Sequence, residues 1–250
     1  MGSSKQGRLI YDSDRAGQDE EAFRRWLEDE RAPEPMPRYA TMFGYGGGHG
    51  GNVHSSSQWA YSRRDSVTDP YDVKFLPASV TGTDGVMGIG MHPGRRDRGT
   101  RYDWDRDLGA DLDVLWKKGV RTIVCLVEPS EFGRLGIPNY IQECEARGFE
   151  VVWFPIVDVS TPVSFRMMHT MCYSVWGMMR DGNVLVHCRG GKGRSGTFIC
   201  SFLQMLGYDY ATALKLVRSI QPKAVETRTQ ENWCERFGQY FQSIGRRRQV

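Results

Sequence analysis

Residues 187–196 read His187-Cys188-Arg189-Gly190-Gly191-Lys192-Gly193-Arg194-Ser195-Gly196, and these types at this spacing suit chemistry on a phosphate. Three glycines (Gly190, Gly191 and Gly193) free the backbone to curl and aim its N–H groups at one centre. A helix opening at the end of the run adds the positive end of its dipole. Such a cradle favours thiolate, so the Cys188 thiol is expected to fall from ~8.5 into the range roughly 3.5–7.5. Thiolate is the nucleophile that attacks phosphorus. Arg194 offers a planar fork to two equatorial oxygens, which a lysine does not match. Ser195 is placed to hydrogen-bond the sulfur and ease its departure when a phosphocysteine is hydrolysed. His187 is expected to fix the loop through its ring nitrogens. Substrate phosphate would lie on Arg189, Gly190, Gly191, Lys192, Gly193 and Arg194, two further cations being part of that set.

A loop of this kind needs a strand before it and a helix after it. Asn183–His187 is an apolar strand pattern, and a helix is expected over Ser195–Leu206. Two more buried strands are read at Val120–Val127 and Phe149–Pro155. Helical patterns lie between and beyond them at Asp103–Lys118, Asn139–Arg147, Ser164–Arg180, Tyr210–Ile220 and Thr227–Ile244. The Met168, Met171 and Met179 stripe with Cys172 and Val175 reads as core packing. Strands alternating with helices imply an α/β fold, a central mainly parallel sheet flanked by helices.

Gly191, Gly193 and Gly196 also spell the dinucleotide pattern G-x-G-x-x-G. That reading wants a second strand and an acidic residue within a βαβ unit, whereas here helix follows helix. The Walker pattern is absent. Neither reading accounts for the cysteine and the arginine.

The string is similar to the signature of the protein tyrosine phosphatase superfamily, H-C-x5-R-[ST], and matches it throughout. The resemblance implies a cysteine phosphatase fold of the shorter, dual-specificity-like kind, since the K-N-R-Y recognition loop of tyrosine-specific enzymes is absent. It also implies an aspartate acid about thirty residues upstream. Asp158, in Phe154-Pro-Ile-Val-Asp-Val-Ser-Thr-Pro162, stands 30 residues before Cys188. Ser160 and Thr161 are the better caps for the helix after Pro162, which leaves Asp158 to protonate the leaving oxygen and then activate water. Val225-Glu-Thr-Arg-Thr-Gln230 resembles a segment of the cyclin-dependent-kinase-associated phosphatases and their microbial relatives. Met91–Arg96 and Arg106–Leu112 resemble the start of that group's domain. Gln230 is then a candidate to orient the hydrolytic water. Arg189 and Lys192 resemble the basic residues that phosphoinositide phosphatases of the superfamily carry in this loop. The resemblance favours a phosphoprotein substrate, with inositol phosphate second and a phospho-binding protein without turnover third. Arsenate reduction and RNA 5′-triphosphate hydrolysis use similar loops. No metal or cofactor is implied.

The 250 residues are 40% hydrophobic and 25% charged, as in soluble globular proteins. A net charge of +3 gives no global field of the nucleic-acid-binding kind. No apolar run reaches the ~20 residues of a membrane span, and the N-terminus lacks a signal core. It begins Met1-Gly2, but Gln6 stands where a myristoylation motif wants Ser or Thr. Cys125, Cys144, Cys172, Cys188, Cys200 and Cys234 form no CxxC pair, so reduced thiols and a cytoplasmic or nuclear location are expected. Among Ile, Leu and Val, residues 1–70 hold only Leu9, Ile10, Leu27, Val53 and Val67. This segment is expected to be low-complexity and flexible, with His49 and His54 as solvated linker residues and one short helix at Glu20–Glu30. Residues 71–250 are expected to form the phosphatase domain.

Overall fold

The computed structural model describes residues 62–99 and 102–247. In chain order these form β1 (Ser62–Arg64), β2 (Lys74–Phe75), α1 (Ala78–Thr81), β3 (Met87–Gly90) and β4 (Tyr102–Trp104). Next come α2 (Leu108–Lys117), β5 (Val120–Cys125), α3 (Pro129–Arg134), α4 (Tyr140–Ala146) and β6 (Glu150–Trp153). The remainder is α5 (Phe165–Met178), β7 (Asn183–His187), α6 (Gly193–Met205), α7 (Tyr210–Ile220) and α8 (Arg228–Arg247). Residues 1–61, with the expected helix at Glu20–Glu30, lie outside the described residues.

The main sheet runs β2-β3-β7-β5-β6, with β2 antiparallel at one edge and every other pairing parallel. Strands buried on both faces read as continuous apolar runs, which is why β5 and β7 are so apolar. Their side chains alternate between two cores. Val124, Val184 and Val186 pack with Met168, Val175, Phe198, Phe202 and Phe237 from α5, α6 and α8. Ile123, Cys125 and Leu185 face Leu112, Leu115, Phe132, Tyr140 and Cys144 from α2, α3 and α4.

Four differences from the sequence expectation have physical reasons. The helix expected from Asp103 begins at Leu108, because Tyr102–Trp104 pairs parallel with Ser62–Arg64 and Asp107 caps α2 through its carboxylate and the Ala110 N–H (2.7 Å). Ser164, and not Ser160 or Thr161, caps α5. β3 reads Met-Gly-Ile-Gly, a poor strand by propensity. Its glycines are there because Phe75 and Val73 lie against Gly88 and the Tyr71 ring lies against Gly90. Residues 62–70 lie on the N-terminal side of the expected boundary yet contact the domain. Ser66 Oγ donates to Asp111 (2.7 Å), and the Asp69 carbonyl accepts from Arg106 (2.8 Å).

Candidate active site

The carboxyl ends of β3, β5, β6 and β7 meet along one edge of the sheet, the edge where open α/β sheets bind ligands. The chain leaves β7 at His187, turns through residues 188–192 and enters α6. Gly191 sits at φ +63°, and any Cβ there would strike the backbone of Gly90 and Met91, so the turn lies flat against the end of β3. Gly193 faces the Gln230 amide and Gly196 faces Ala224 and Val225 at comparably close range. Glycine at these positions lets the loop approach its neighbours.

Cys188 lies buried at the floor of the turn, 4% exposed. Burial pushes its thiol up, but the Arg194 guanidinium, the Ser195 hydroxyl and the backbone N–H groups of Lys192 and Ser195 outweigh that, so the thiol lies below its ordinary value. The Ser195 hydroxyl is itself buried, with no hydrogen-bond partner of good geometry among the described residues. Its proton is therefore available to a charged sulfur.

Arg194 is buried and held from three sides. Glu131 takes Nη1 and Nη2 with its two carboxylate oxygens (2.5 and 2.9 Å), and the Ile156 carbonyl accepts from Nη1 (3.0 Å). Asp158 pairs with Nη2 at 2.8 Å. Nε has no hydrogen-bond partner among the described residues. The side of the guanidinium that carries Nε is thus the unspent one. Asp158 follows β6, its side chain 46% exposed, and its backbone N–H donates to Glu128 Oε2 (3.3 Å). The next residue, Val159, holds φ +61°, a conformation β-branched residues avoid, and is 61% exposed. His187 Nε2 meets the Tyr140 hydroxyl at 2.9 Å and Nδ1 meets the Cys188 carbonyl at 3.3 Å. Burial, then His92, holds this ring well below the usual histidine range, so it is neutral.

Among the residues read from the sequence, Cys188, Arg194, Asp158, Ser195 and His187 come together with Gly190, Gly191 and Gly193 in one loop cluster. Gln230, after the α7–α8 turn, reaches the same cluster but is spent on protein. Its Oε1 accepts from the Glu226 and Thr227 N–H groups (3.0 and 3.3 Å) and its Nε2 donates to the Ser160 carbonyl (3.0 Å). It ties the loop that carries Asp158 to the start of α8 and lies on Gly193. Arg189 departs from expectation. Its guanidinium turns to Asp97, with Nε and Nη2 both on Oδ2 (2.9 and 2.6 Å). Lys192 has no ion-pair partner among the described residues.

Two residues escaped the sequence reading. Glu131 had a signal: Glu128-Pro-Ser-Glu131 is a capping box with proline at the first helical position, and both of its bonds form. Helix α3 is too short for hydrophobic periodicity to reveal it. Asp97 stands in the arginine-rich loop 94–99, where nothing local marks it as the partner of Arg189.

Residues 105–234 match the family model of the Swiss Army Knife protein, DSP-PTPase phosphatase domain, PTP-SAK. The chain is similar to cyclin-dependent kinase inhibitor 3 of Mus musculus, 23% identical over 175 residues, covering 69% of this chain and 81% of that one. It is 28% identical over 102 residues to phosphatidylinositol 3,4,5-trisphosphate 3-phosphatase cnrN of Dictyostelium discoideum, covering 38% of this chain and 16% of that one. A kinase associated phosphatase structure with its catalytic-site cysteine replaced by serine superposes with a TM-score of 0.61 at 20% identity, covering 68% of this chain and 96% of that one. That likeness speaks for the fold. The family match takes in just over half of the chain, from the start of the Arg106–Asp111 segment to α8, and on that ground the chain belongs to the PTP-SAK family of dual-specificity-type phosphatase domains.

Proposed function

We propose that the protein hydrolyses phosphate monoesters on protein side chains (phosphotyrosine, phosphoserine and phosphothreonine) through a phosphocysteine at Cys188. One observation carries the reading: a thiol held below its ordinary value lies beside a buried arginine whose Nε is unspent. In the first step the Cys188 sulfur attacks phosphorus and the bond to the leaving oxygen breaks. That oxygen takes the Asp158 proton. In the second step water attacks phosphorus, gives its proton to the Asp158 carboxylate, and the S–P bond breaks. The Ser195 hydroxyl holds the departing thiolate.

Charge explains why Asp158 must enter protonated. Arg194 already faces Glu131, Asp158 and the Cys188 sulfur. A phosphate dianion approaching two carboxylates and a thiolate meets repulsion. Protonating Asp158 removes one negative charge and frees one N–H of Nη2, the other staying on Glu131, so Nε and Nη2 together take two equatorial oxygens. The proton that admits the substrate is the one the leaving group needs.

A second reading, an inositol phosphate substrate, is favoured by the likeness to cnrN and by Lys192, which has no ion-pair partner among the described residues. The withdrawn Arg189 supports the phosphoprotein reading. The six cysteines are all unpaired, which supports a reducing cytoplasmic or nuclear compartment. The test is a panel of phosphotyrosine and phosphothreonine peptides, soluble inositol phosphates and a triphosphate RNA. Cys188→Ser should abolish turnover yet still bind vanadate, because the cradle of N–H groups remains. Asp158→Asn should lower kcat by ~10²–10⁴-fold on poor leaving groups. Turnover by purified Cys188→Ser protein would sink the covalent mechanism.

A further inference from the structure

Loop 94–99 follows β3 and runs beside the phosphate loop. The His92 N–H donates to the Arg189 carbonyl at 3.2 Å, and Arg95 Nη1 reaches the same carbonyl at 3.4 Å. Asp97 stands at the centre, its side chain 11% exposed. Its Oδ2 takes Nε and Nη2 of Arg189 (2.9 and 2.6 Å) and Nη2 of Arg95 (3.2 Å), and its Oδ1 takes Nε of Arg95. Arg189 Nη2 also donates to the Arg98 carbonyl at 3.2 Å. The neighbouring cations are engaged as well: Arg98 pairs with Asp103 and Arg96 donates to the Arg106 carbonyl.

We propose that Asp97 is a specificity-determining residue that withholds the Arg189 guanidinium from substrate, so that the loop takes a single phosphate, as on a phosphorylated side chain, ahead of substrates carrying a second phosphate beside the first. The reason is geometric. Guanidinium donors are planar and fixed in direction, so the two that Arg189 directs at Asp97 are not turned to a second phosphate. Arg95 shares the carboxylate and its guanidinium lies 5.4 Å from the Trp104 ring, which anchors Asp97 where it is. Arg189 is the residue next to the nucleophile. Released, it would stand at the rim with Lys192, and the rim would present two cations in place of one. This inference rests on the reading that Cys188 attacks a phosphate held in this loop.

The experiment uses the full chain in the Cys188→Ser background, so that affinity is read without turnover, and in the parent background for kcat/KM. The probes are a phosphotyrosine peptide and a soluble inositol polyphosphate with vicinal phosphates. Asp97→Asn should raise affinity and kcat/KM for the inositol polyphosphate by ~10-fold, the scale of one charge-assisted contact, while the peptide changes by less than about twofold. Adding Arg189→Ala should remove that gain. An unchanged ratio in a folded Asp97→Asn protein, or a gain that survives without Arg189, overturns the proposal. If Asp97→Asn does not fold, Arg189→Ala alone decides. A tenfold selective loss of inositol polyphosphate binding would show that the guanidinium already reaches substrate, and a ratio within about twofold of the parent supports the gate. Failure of the phosphatase reading looks different: the parent turns over neither probe, while the affinities still report on Asp97.

Discussion

Glu131 grips Arg194 with both carboxylate oxygens and also accepts the Glu128 N–H, all within a site 2% exposed. Burial pushes its carboxyl up, and the hydrogen bonds and charge of Arg194 outweigh that and hold it below the ordinary range. Glu131→Gln keeps the shape but leaves a buried guanidinium short of one charge. Such one-sided losses cost about 3–5 kcal/mol in buried pairs, and the remaining Asp158 contact puts this one at the lower end. The melting temperature should fall accordingly. Vanadate affinity should fall with it, because the arginine then has an extra rotamer to choose. A variant as stable and as tight as the parent would show that Asp158 and the Ile156 carbonyl suffice to position Arg194. The sequence made Cys188, Arg194, Ser195 and His187 legible because they are contiguous and belong to one loop. Glu131 and Asp97 were not legible, since each acts on a residue more than sixty positions away, 63 and 92 respectively.

At the scale of elements, the strands that read correctly were β5 and β7, whose residues are almost all buried, and the edge strand β6, where Val151 and Val152 keep a short apolar run. Helix α7 matched its expected span because its polar face is continuous and Asp209 caps it. β3 was missed because its glycines answer to Tyr71, Val73 and Phe75, residues of another segment. The same logic applies to β1. It makes three pairs with β4, and the Ser66 and Asp69 contacts that follow it end on Asp111 and Arg106, a buried bidentate pair with both bonds at 2.8 Å. Asp111 Oδ2 in turn accepts the Gly94 N–H (2.8 Å), so the pair supports the loop that carries Asp97. Two truncations separate these contributions. Deleting residues 1–61 should leave the described domain's melting temperature and its activity on a small aryl phosphate intact. Deleting residues 1–70 strips two hydrogen bonds from a buried ion pair and should cost roughly 1–3 kcal/mol per group left unsatisfied. Equal stability of the two truncations would mean that β1 contributes nothing measurable.

Across the whole molecule, acid should unfold the protein through its buried imidazoles. His92 packs on Tyr140 (4.2 Å between centroids) and His187 (5.0 Å), and burial pushes it down to about 4. His187 is lowered in the same direction. In the unfolded chain both rings take up a proton near the ordinary value, 6.5. Between about 6.5 and about 4 the unfolded state therefore binds more protons, and stability is full above that window and lost as pH falls through it. For His92 the gap converts to on the order of 3 kcal/mol. Glu131, held low by Arg194, adds a loss in the same direction further down. Melting temperature followed from about pH 7 to about pH 4 should drop. His92→Asn, less stable throughout, should drop less steeply. A parallel decline in the two proteins would remove His92 from the account.

The cluster at the sheet edge reverses the usual meaning of a cysteine's reactivity. Cys188 owes the lowering of its thiol first to Arg194, and Arg194 is fixed by groups that follow β5 and β6, so the lowered thiol exists only once three separate strands have paired. A chain still emerging from synthesis carries an ordinary thiol at that position. The buried Cys125, Cys144, Cys172 and Cys234, whose thiols burial pushes up, behave in the opposite way and become available only when the protein opens. A small thiolate-seeking alkylator applied along a urea gradient near neutral pH should therefore label Cys188 fastest in the folded protein and lose that preference at the unfolding midpoint. The other four should gain label at the same denaturant concentration. One reagent would then count native and unfolded molecules at once, from two sets of sulfurs in the same chain.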